Sequence, residues 1–292
     1  MICVIKANLS SNFGDVAITV GLVRLLRKVT DQPIALLVDP NARTEHIQDL
    51  PDGVSLVTEP PAGAARVYGG GEHLFSGSHL SEWMRLLDGA VITPGTFGPF
   101  DTIDGFDRLG PVAAREPLSA RLMTELLGYE VPVLADPAMF IDERPGQPSG
   151  RIIYAPRPDK VGFRVGHYNR LGDPTEWEAF HRFVELIDPN TEGLIVAHSA
   201  RDVPLCRALS RETGIRWYRP RRLHGLVNIY RTASKVVAAR FHALIFAYSF
   251  GVPFEAVWWP EHGPKIPGLL ELDTPVDELR AATVEWFRAA LV

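Results

Sequence analysis

Arg240 and His242 lie near the middle of one of the most apolar stretches of the chain, KVVAARFHALIFAYSFGVPF, residues 235–254. A buried arginine normally has a partner, because removing a guanidinium from water without compensation is costly. KVVAA is typical of a strand and FHALIFAYSF of a helix, so the two residues flank a strand-to-helix turn. The free N–H groups of the helix and the guanidinium fork both favour an anion there, a carboxylate or a phosphate. The alternative is an internal ion pair for Arg240 and an interior position for His242.

Other cationic side chains follow predicted strands in the same half of the chain. Arg157 follows IIYAP, His198 ends GLIVA, and Lys265 follows the last predicted strand. Arg157, Arg240 and Lys265 together predict a basic rim for an anionic ligand, although each alone is more often a capping or ion-pairing residue. A separate basic run, RWYRPRR, is expected to be a solvated face; its arginines are Arg216, Arg219, Arg221 and Arg222.

The loop SSNFGDVAI follows the first predicted strand and opens the first predicted helix. Gly14 would allow a close approach of the backbone, while Asn12 and the free helix N–H groups could hold a polar ligand. Asp15 is a candidate base or, alternatively, a helix cap. The loop is therefore a candidate binding loop or an ordinary strand-to-helix turn.

Three consecutive glycines, Gly69, Gly70 and Gly71, follow another apolar strand in VYGGGEHLFSG. Such a run is costly to order unless the backbone needs unusual angles or a ligand lies close. No Lys-Ser or Lys-Thr pair follows, so it is not a Walker loop. Glu72 and His73 come next and are candidate contacts for an acceptor, or solvated residues of a tight turn.

Arg115 and Glu116 end the predicted strand VAA, and Asp136 ends VPVLA. In open α/β sheets, ligands bind outside the carboxyl ends of the strands, so these positions are also candidates for a site. Arg115 is assigned to the acceptor and Glu116 to catalysis as a second candidate base. The histidine spacings match no metal motif, so we expect no metal.

The composition gives no support to a nucleic-acid binder or to a polybasic membrane-surface protein. The chain has 292 residues, 46% of them hydrophobic, and a formal net charge of −5. A phosphate backbone calls for a basic face, which this balance does not provide. Residues 1–146 carry 11 Lys and Arg against 19 Asp and Glu, a net of −8, and the remainder carries +3. The second half is therefore the better host for an anionic ligand.

The compartment is predicted from two absences in the sequence. Cys3 and Cys206 are far apart, which indicates neither a disulfide framework nor a zinc ribbon. We find no signal peptide and no uninterrupted apolar run of about 18 residues. The expectation is a soluble, cytoplasmic protein without a transmembrane segment.

Short apolar runs alternate with amphipathic segments along the whole chain, as in parallel sheets with crossover helices. The fold class is therefore α/β, with two Rossmann-like doubly wound domains facing a cleft. A Pro- and Gly-rich linker at 142–150 separates a domain at 1–141 from one at 151–275. A helix in 276–292 is expected to pack back on the first domain.

Taken together, these motifs resemble the polysaccharide pyruvyl transferase family. The resemblance spans most of the chain, and it is carried by NFGDVAI, the glycine run, AREPLSARLMTELLG with VLADPAMF, and ARFHALIFAYSFGVPF with Lys265 downstream. It implies a two-domain fold like that of the GT-B glycosyltransferases. It also implies transfer of a pyruvyl group from phosphoenolpyruvate to sugar hydroxyls, giving a cyclic ketal on a polysaccharide or its precursor. The chain is compact for the family, so the resemblance determines the identity of the acceptor less closely than that of the donor.

The resemblance places phosphoenolpyruvate against Arg240 and His242, and against Arg157 in a similar way. Lys265 and His198 complete the predicted donor site, and His242 is the candidate general acid. The first domain is assigned to the acceptor, and peripheral contact with a lipid-linked acceptor is left open. Phosphoenolpyruvate is a co-substrate, and no cofactor is expected. The alternatives are a GT-B glycosyltransferase using a nucleotide sugar and a non-catalytic sugar- or nucleotide-binding protein.

Overall fold

The structure is a computed structural model that describes residues 1–9, 12–38, 46–73, 85–98, 105–158, 173–259 and 265–291. Its residues divide into two compact units. The first unit is formed by the ranges 1–10, 15–141 and 264–292, and the second by 11–14 and 142–263. The chain passes into the second unit after Ile141, at the start of the predicted linker. Residues 264–275, which the sequence analysis assigned to the second domain, belong to the first unit.

The first unit contains a parallel sheet of seven strands. Its strand order is β3-β2-β1-β4-β6-β5, with β7 also paired to β6, so the order reverses between β1 and β4. The strands Ile2–Ile5, Val91–Phe97 and Val112–Ala114 are fully buried, as expected for strands covered on both faces. The bounds of the strands are Ile2–Ile5 for β1, Ile34–Leu37 for β2, Val54–Val57 for β3, Ala65–Tyr68 for β4, Gly71–His73 for β5, Val91–Phe97 for β6 and Val112–Ala114 for β7.

The second unit contains a parallel sheet of five strands in the order β10-β9-β8-β11-β12. The chain moves outwards from β8 to one edge and then returns to β11 on the other side. The carboxyl ends of β8 and β11 are thus the switch point at which ligands bind in such sheets. The strands are β8 Ile152–Ala155, β9 Gly193–Val196, β10 Trp217–Tyr218, β11 Lys235–Ala238 and β12 Phe254–Ala256.

Helices connect the strands of both units. Their ends follow local rules: Pro117 and a capping Glu116 start the second helix, and Gly128 with φ 72° ends it. The helices are α1 Phe13–Val29, α2 Pro117–Leu127, α3 Glu178–Leu186, α4 Val203–Thr213, α5 Leu223–Arg231, α6 Phe241–Ser249, α7 Lys265–Leu270 and α8 Val276–Ala290.

The last helix packs within the first unit. Thr283 Oγ1 accepts a hydrogen bond from the N–H of Ala135 at 2.8 Å, and the guanidinium of Arg280 donates to the carbonyl of Met139. Both side chains are buried. These bonds satisfy backbone groups just before the chain enters the second unit, so α8 stabilises the end of the first unit.

The predicted α/β class with two Rossmann-like units is confirmed by the two parallel sheets. One predicted strand is wrong: Val131–Ala135 forms only an isolated bridge between Val133 and Ala114. Pro132 lacks the N–H that a sheet ladder needs, which accounts for the short pairing. In the described part of the chain, no helix has both the length and the apolar character needed to cross a membrane.

Candidate functional site

The carboxyl ends of the central strands of the second unit bring several predicted donor residues to one edge of the sheet. Arg157 lies two residues after β8, His198 two residues after β9, and Arg240 two residues after β11. The parallel pairing of these strands places their ends side by side. The structure therefore places Arg157 and Arg240 after neighbouring strands at the same edge of the sheet.

Arg240 is held at the N-terminus of α6 by both its backbone and its side chain. Its N–H donates to the carbonyl of Ala155 at 3.3 Å, which ties the turn to the end of β8. Nη2 of the guanidinium donates to a carboxylate oxygen of Asp202 and, at 3.3 Å, to Oγ of Ser199. The side chain is 16% exposed. Among the described residues, its buried Nε has no hydrogen-bond acceptor.

Asp202 organises this corner of the site, and the sequence analysis did not single it out. Its side chain is fully buried. Oδ2 accepts hydrogen bonds from the N–H groups of His198 and Ser199, both at 3.0 Å, and Oδ1 accepts from Arg240. The spacing of Ser199 and Asp202 is that of a capping box, which was the available sequence signal. One carboxylate thus fixes the loop after β9 and the guanidinium after β11.

His198 is an interior histidine. It is 1% exposed, and its Nε2 lies 2.5 Å from the hydroxyl of Tyr230. Burial lowers the pKa of His198 well below 6.5, and the nearby charges of Arg240 and His242 lower it further. His198 is therefore neutral at physiological pH, and its ring supports the site from inside the unit.

His242 and Gly14 meet within the second unit, to which residues 11–14 belong. A Cβ on Gly14 would overlap the imidazole of His242, so only glycine fits beside this ring. The segment is anchored by the N–H of Phe13, which donates to the carbonyl of His198 at 3.1 Å. The N–H of Gly14 bonds Oδ1 of Asn12 at 3.2 Å. The structure thus brings the predicted binding loop to the predicted general acid.

The remaining predicted residues belong to the first unit. Lys265, which the sequence analysis predicted for the rim of the second sheet, starts α7 and is buried in the first unit. The reason is local packing: α7 lies against α2, and a Cβ on Gly268 would overlap the carboxylate of Glu116.

Glu116 and Arg115 have structural surroundings. Glu116 is fully buried and caps α2, accepting hydrogen bonds from the N–H of Ser119 at 2.9 Å and from its hydroxyl. Arg115 is paired with the buried Asp136 at 2.7 Å and donates to Thr96. These contacts give both side chains a role in folding of the first unit. Asp15 is only half-buried, and its carboxylate accepts a bond from Asn8 at 3.2 Å.

The glycine run is partly a strand, whereas the sequence analysis predicted a loop. Gly71, Glu72 and His73 form β5, in register with Gly95, Thr96 and Phe97 of β6. A Cβ on Gly70 would lie 3.0 Å from Ile18 Cγ2 and 3.2 Å from the carbonyl of Pro94. Close packing within the first unit is therefore sufficient to explain glycine at position 70.

The described residues contain no cluster of three or more His, Cys, Asp or Glu side chains arranged to hold a metal ion. Cys3 and Cys206 are buried free thiols. The described residues bring guanidinium, imidazole, carboxylate and backbone N–H groups to the site of the second unit.

A profile of known protein families matches residues 12–261 under the description polysaccharide pyruvyl transferase. The chain belongs to the polysaccharide pyruvyl transferase family. Family membership makes it a transferase that modifies polysaccharide. The matched range begins at Asn12, includes Arg157, Arg240 and His242, and ends before Lys265. The predicted binding loop, from Asn12 onwards, and the switch point of the second unit therefore lie within the part of the chain that matches the family.

The comparison with solved structures adds distant similarities only. No curated protein matches the chain in sequence. A functionally uncharacterised Klebsiella pneumoniae protein is 16% identical, with 94% of this chain and 90% of that chain covered and a TM-score of 0.45. E. coli heptosyltransferase WaaC with ADP is 13% identical, with 92% of this chain and 90% of that chain covered and a TM-score of 0.43. A mutant Thermobaculum terrenum O-GlcNAc transferase is 14% identical, with 99% of this chain and 63% of that chain covered and a TM-score of 0.45. TM-scores this low leave the fold assignment to the two sheets themselves.

Proposed function

We propose that this protein transfers the pyruvyl group of phosphoenolpyruvate to two hydroxyls of a sugar or glycan, forming a cyclic ketal. The observation that carries the proposal is the guanidinium of Arg240. It is held by Asp202 at the start of α6, and its buried Nε lacks an acceptor among the described residues. A small anion at this position would satisfy that hydrogen-bond donor, next to the positive end of the α6 dipole.

Phosphoenolpyruvate fits such a site because it carries a carboxylate and a phosphate. Arg240 and Arg157 follow adjacent paired strands and supply two cations for these groups. Arginines that neutralise phosphoenolpyruvate in a partly buried site favour the departure of phosphate. Fixed hydrogen-bond donors stabilise developing negative charge more strongly in such a site than in water. Family membership supports the same donor chemistry.

The proposed reaction needs one positioned acid and one base. The acid protonates the methylene carbon of phosphoenolpyruvate, which becomes the methyl group and leaves an oxocarbenium-like centre at the neighbouring carbon. One sugar hydroxyl attacks this carbon, the bond to the phosphate oxygen breaks, and a second hydroxyl closes the ketal. Of the two hydroxyl protons, one returns to the acid, and the other is taken by the base and passed to the departing phosphate.

His242 is the proposed acid, which would contribute about 10²- to 10⁴-fold to the rate. Gly14 supports this assignment, because its missing side chain leaves room for the imidazole. For the base we favour Asp15, because Glu116 is buried and engaged in capping α2. The loop that carries Asn12 and Gly14 is proposed to guide the acceptor towards the acid.

The decisive experiment is to incubate the protein with phosphoenolpyruvate and a panel of glycosides. Mass spectrometry should find glycosides that carry a pyruvyl ketal, and a phosphate assay should find matching phosphate release. Product formed from a nucleotide sugar in place of phosphoenolpyruvate would assign a glycosyltransferase instead. Binding of sugars without any product across the panel would favour a non-catalytic protein.

Donor binding is tested separately by thermal unfolding. Phosphoenolpyruvate, and no nucleotide sugar, should raise the melting temperature. At 100 times the dissociation constant, a ligand adds about 2.7 kcal/mol of stability. An Arg240→Ala variant that folds normally should lose this response, and an unchanged response would remove Arg240 from the donor site.

A further inference from the structure

One long segment of the second unit carries only positive charge. Between Glu212 and Glu255 the chain has no acidic residue and seven Lys and Arg. Four of these fall within seven residues, in RWYRPRR. We name this segment the basic patch; its residues are Arg216, Tyr218, Arg219, Arg221 and Arg222.

The fold places the basic patch at the border of the second sheet. Strand β10 pairs with β9 and is the terminal strand in the sheet order. Arg216, Arg221 and Arg222 are exposed, and Tyr218 is 45% exposed. Successive strand residues face opposite sides, so Trp217 points away from Tyr218. The Trp217 ring instead lies against the guanidinium of Arg207, at 5.2 Å.

The arginines of the basic patch differ from several other arginines on the surface of the protein. Arg121, Arg151 and Arg288 are each paired with a glutamate. Within the described part of the chain, no carboxylate pairs with Arg216, Arg219, Arg221 or Arg222, and the buried Nε of Arg219 has no acceptor. The basic patch is therefore a local positive field on a protein whose net charge is −5.

We propose that the basic patch docks the protein on an anionic membrane surface. Guanidinium groups bind phosphate through paired hydrogen bonds, and several lipid phosphates are available side by side at such a surface. A tyrosine among them suits the headgroup region, where its ring and its hydroxyl meet different surroundings. An acidic polysaccharide is the weaker candidate, because one face of Trp217, on which a sugar would stack, is already covered by Arg207.

The docking surface is independent of the donor chemistry proposed above. Each arginine near an anionic surface contributes roughly fivefold in affinity, and salt screens this attraction. Replacing two arginines should therefore weaken binding by roughly 25-fold.

The test is flotation of the purified protein with vesicles. One set contains phosphatidylcholine alone, and the other contains phosphatidylcholine with phosphatidylglycerol. We expect flotation with the anionic vesicles only, and less of it at high salt. Arg221→Gln with Arg222→Gln should weaken it roughly 25-fold. Arg121→Gln with Arg288→Gln removes the same charge from the first unit and should leave it unchanged.

Three results would overturn the proposal: no flotation with either vesicle set, equal loss in the patch and control variants, or binding to a soluble polyuronate in place of the vesicles. Circular dichroism establishes that each variant is folded. Phosphate release from phosphoenolpyruvate with a soluble glycoside is measured in parallel. Flotation without phosphate release would contradict the proposed reaction alone, and phosphate release without flotation would contradict the docking surface alone.

Discussion

The buried carboxylate of Asp202 accepts a hydrogen bond from Nη2 of Arg240, while its other oxygen binds two backbone N–H groups of the loop after β9. A buried carboxylate with this many donors is fixed in place, and it fixes its partner. The Nη2 of Arg240 is committed to this contact. Its remaining edge is the part that can meet a ligand, so Asp202 acts as a positioning residue for the proposed donor site.

Replacing Asp202 should therefore affect donor binding more than acceptor binding. Asp202→Asn keeps an oxygen for the backbone N–H groups but removes the charge that orients Arg240. We expect the KM for phosphoenolpyruvate to rise at least about tenfold, equivalent to ~1.4 kcal/mol. Steady-state kinetics with each substrate varied in turn measures this split.

The acceptor KM is the control for this prediction, since it should stay unchanged. Asp202→Ala should also lower the unfolding free energy by about 3 kcal/mol, because it leaves a partly buried guanidinium without its partner. Equal changes in both KM values would indicate a general loss of structure and would contradict a positioning role.

Gly14 and His242 should behave as one unit in a double-mutant cycle. Gly14→Ala inserts a Cβ where the imidazole lies and should displace His242, lowering kcat by about 10²-fold or more. His242→Ala should abolish turnover with little loss of folding. In the His242→Ala background the space is open, so Gly14→Ala should then have almost no further effect on stability. Additive effects of the two substitutions on stability would contradict the contact.

Gly268 and Glu116 provide a corresponding test of the first unit. Gly268→Ala should lower the unfolding free energy by about 1–3 kcal/mol, because the added methyl group overlaps the buried carboxylate. Glu116→Asp shortens that side chain while retaining a carboxylate to cap α2, so it should restore part of the loss. Urea unfolding of the single and double variants measures this rescue. A Gly268→Ala variant as stable as the wild type would contradict the close packing of α7 on α2.

His198 should make stability depend on pH in the mildly acidic range. Its pKa is lowered in the folded protein by burial, so below pH 6.5 the unfolded chain binds a proton that the folded chain does not. Stability should therefore fall as the pH drops below 6.5, by at most about 1.4 kcal/mol per pH unit for this group. Urea unfolding from about pH 5 to about pH 8, the range in which histidine titrates, measures how the unfolding free energy changes with pH.

The comparison for this prediction is His198→Gln, which removes the titrating group. It should flatten the slope relative to the wild type, after its own loss of stability is subtracted. His181 is exposed on α3, and His181→Gln should leave the slope as it is. A slope that is the same in all three proteins would rule out His198 as its source.

Much of the fold follows from local patterns along the chain. The proline and glycine around Pro117–Leu127 mark the ends of α2, and the apolar runs mark most of the strands. The turn that holds Arg240 and His242 was predicted from the change between a strand pattern and a helix pattern. Such signals are readable because hydrogen bonding and side-chain direction within an element depend on neighbours in sequence.

Contacts between residues that are distant in sequence could be identified only from the tertiary structure. Asp202 lies 38 residues from Arg240 in sequence, and this spacing does not predict that the two side chains are paired. The same holds for Gly14 beside His242 and for Lys265, which joins the first unit because Gly268 packs on Glu116. Period, caps and charge are properties of short segments and can be read directly, whereas the partner of a buried charge depends on which strands become neighbours in the sheet.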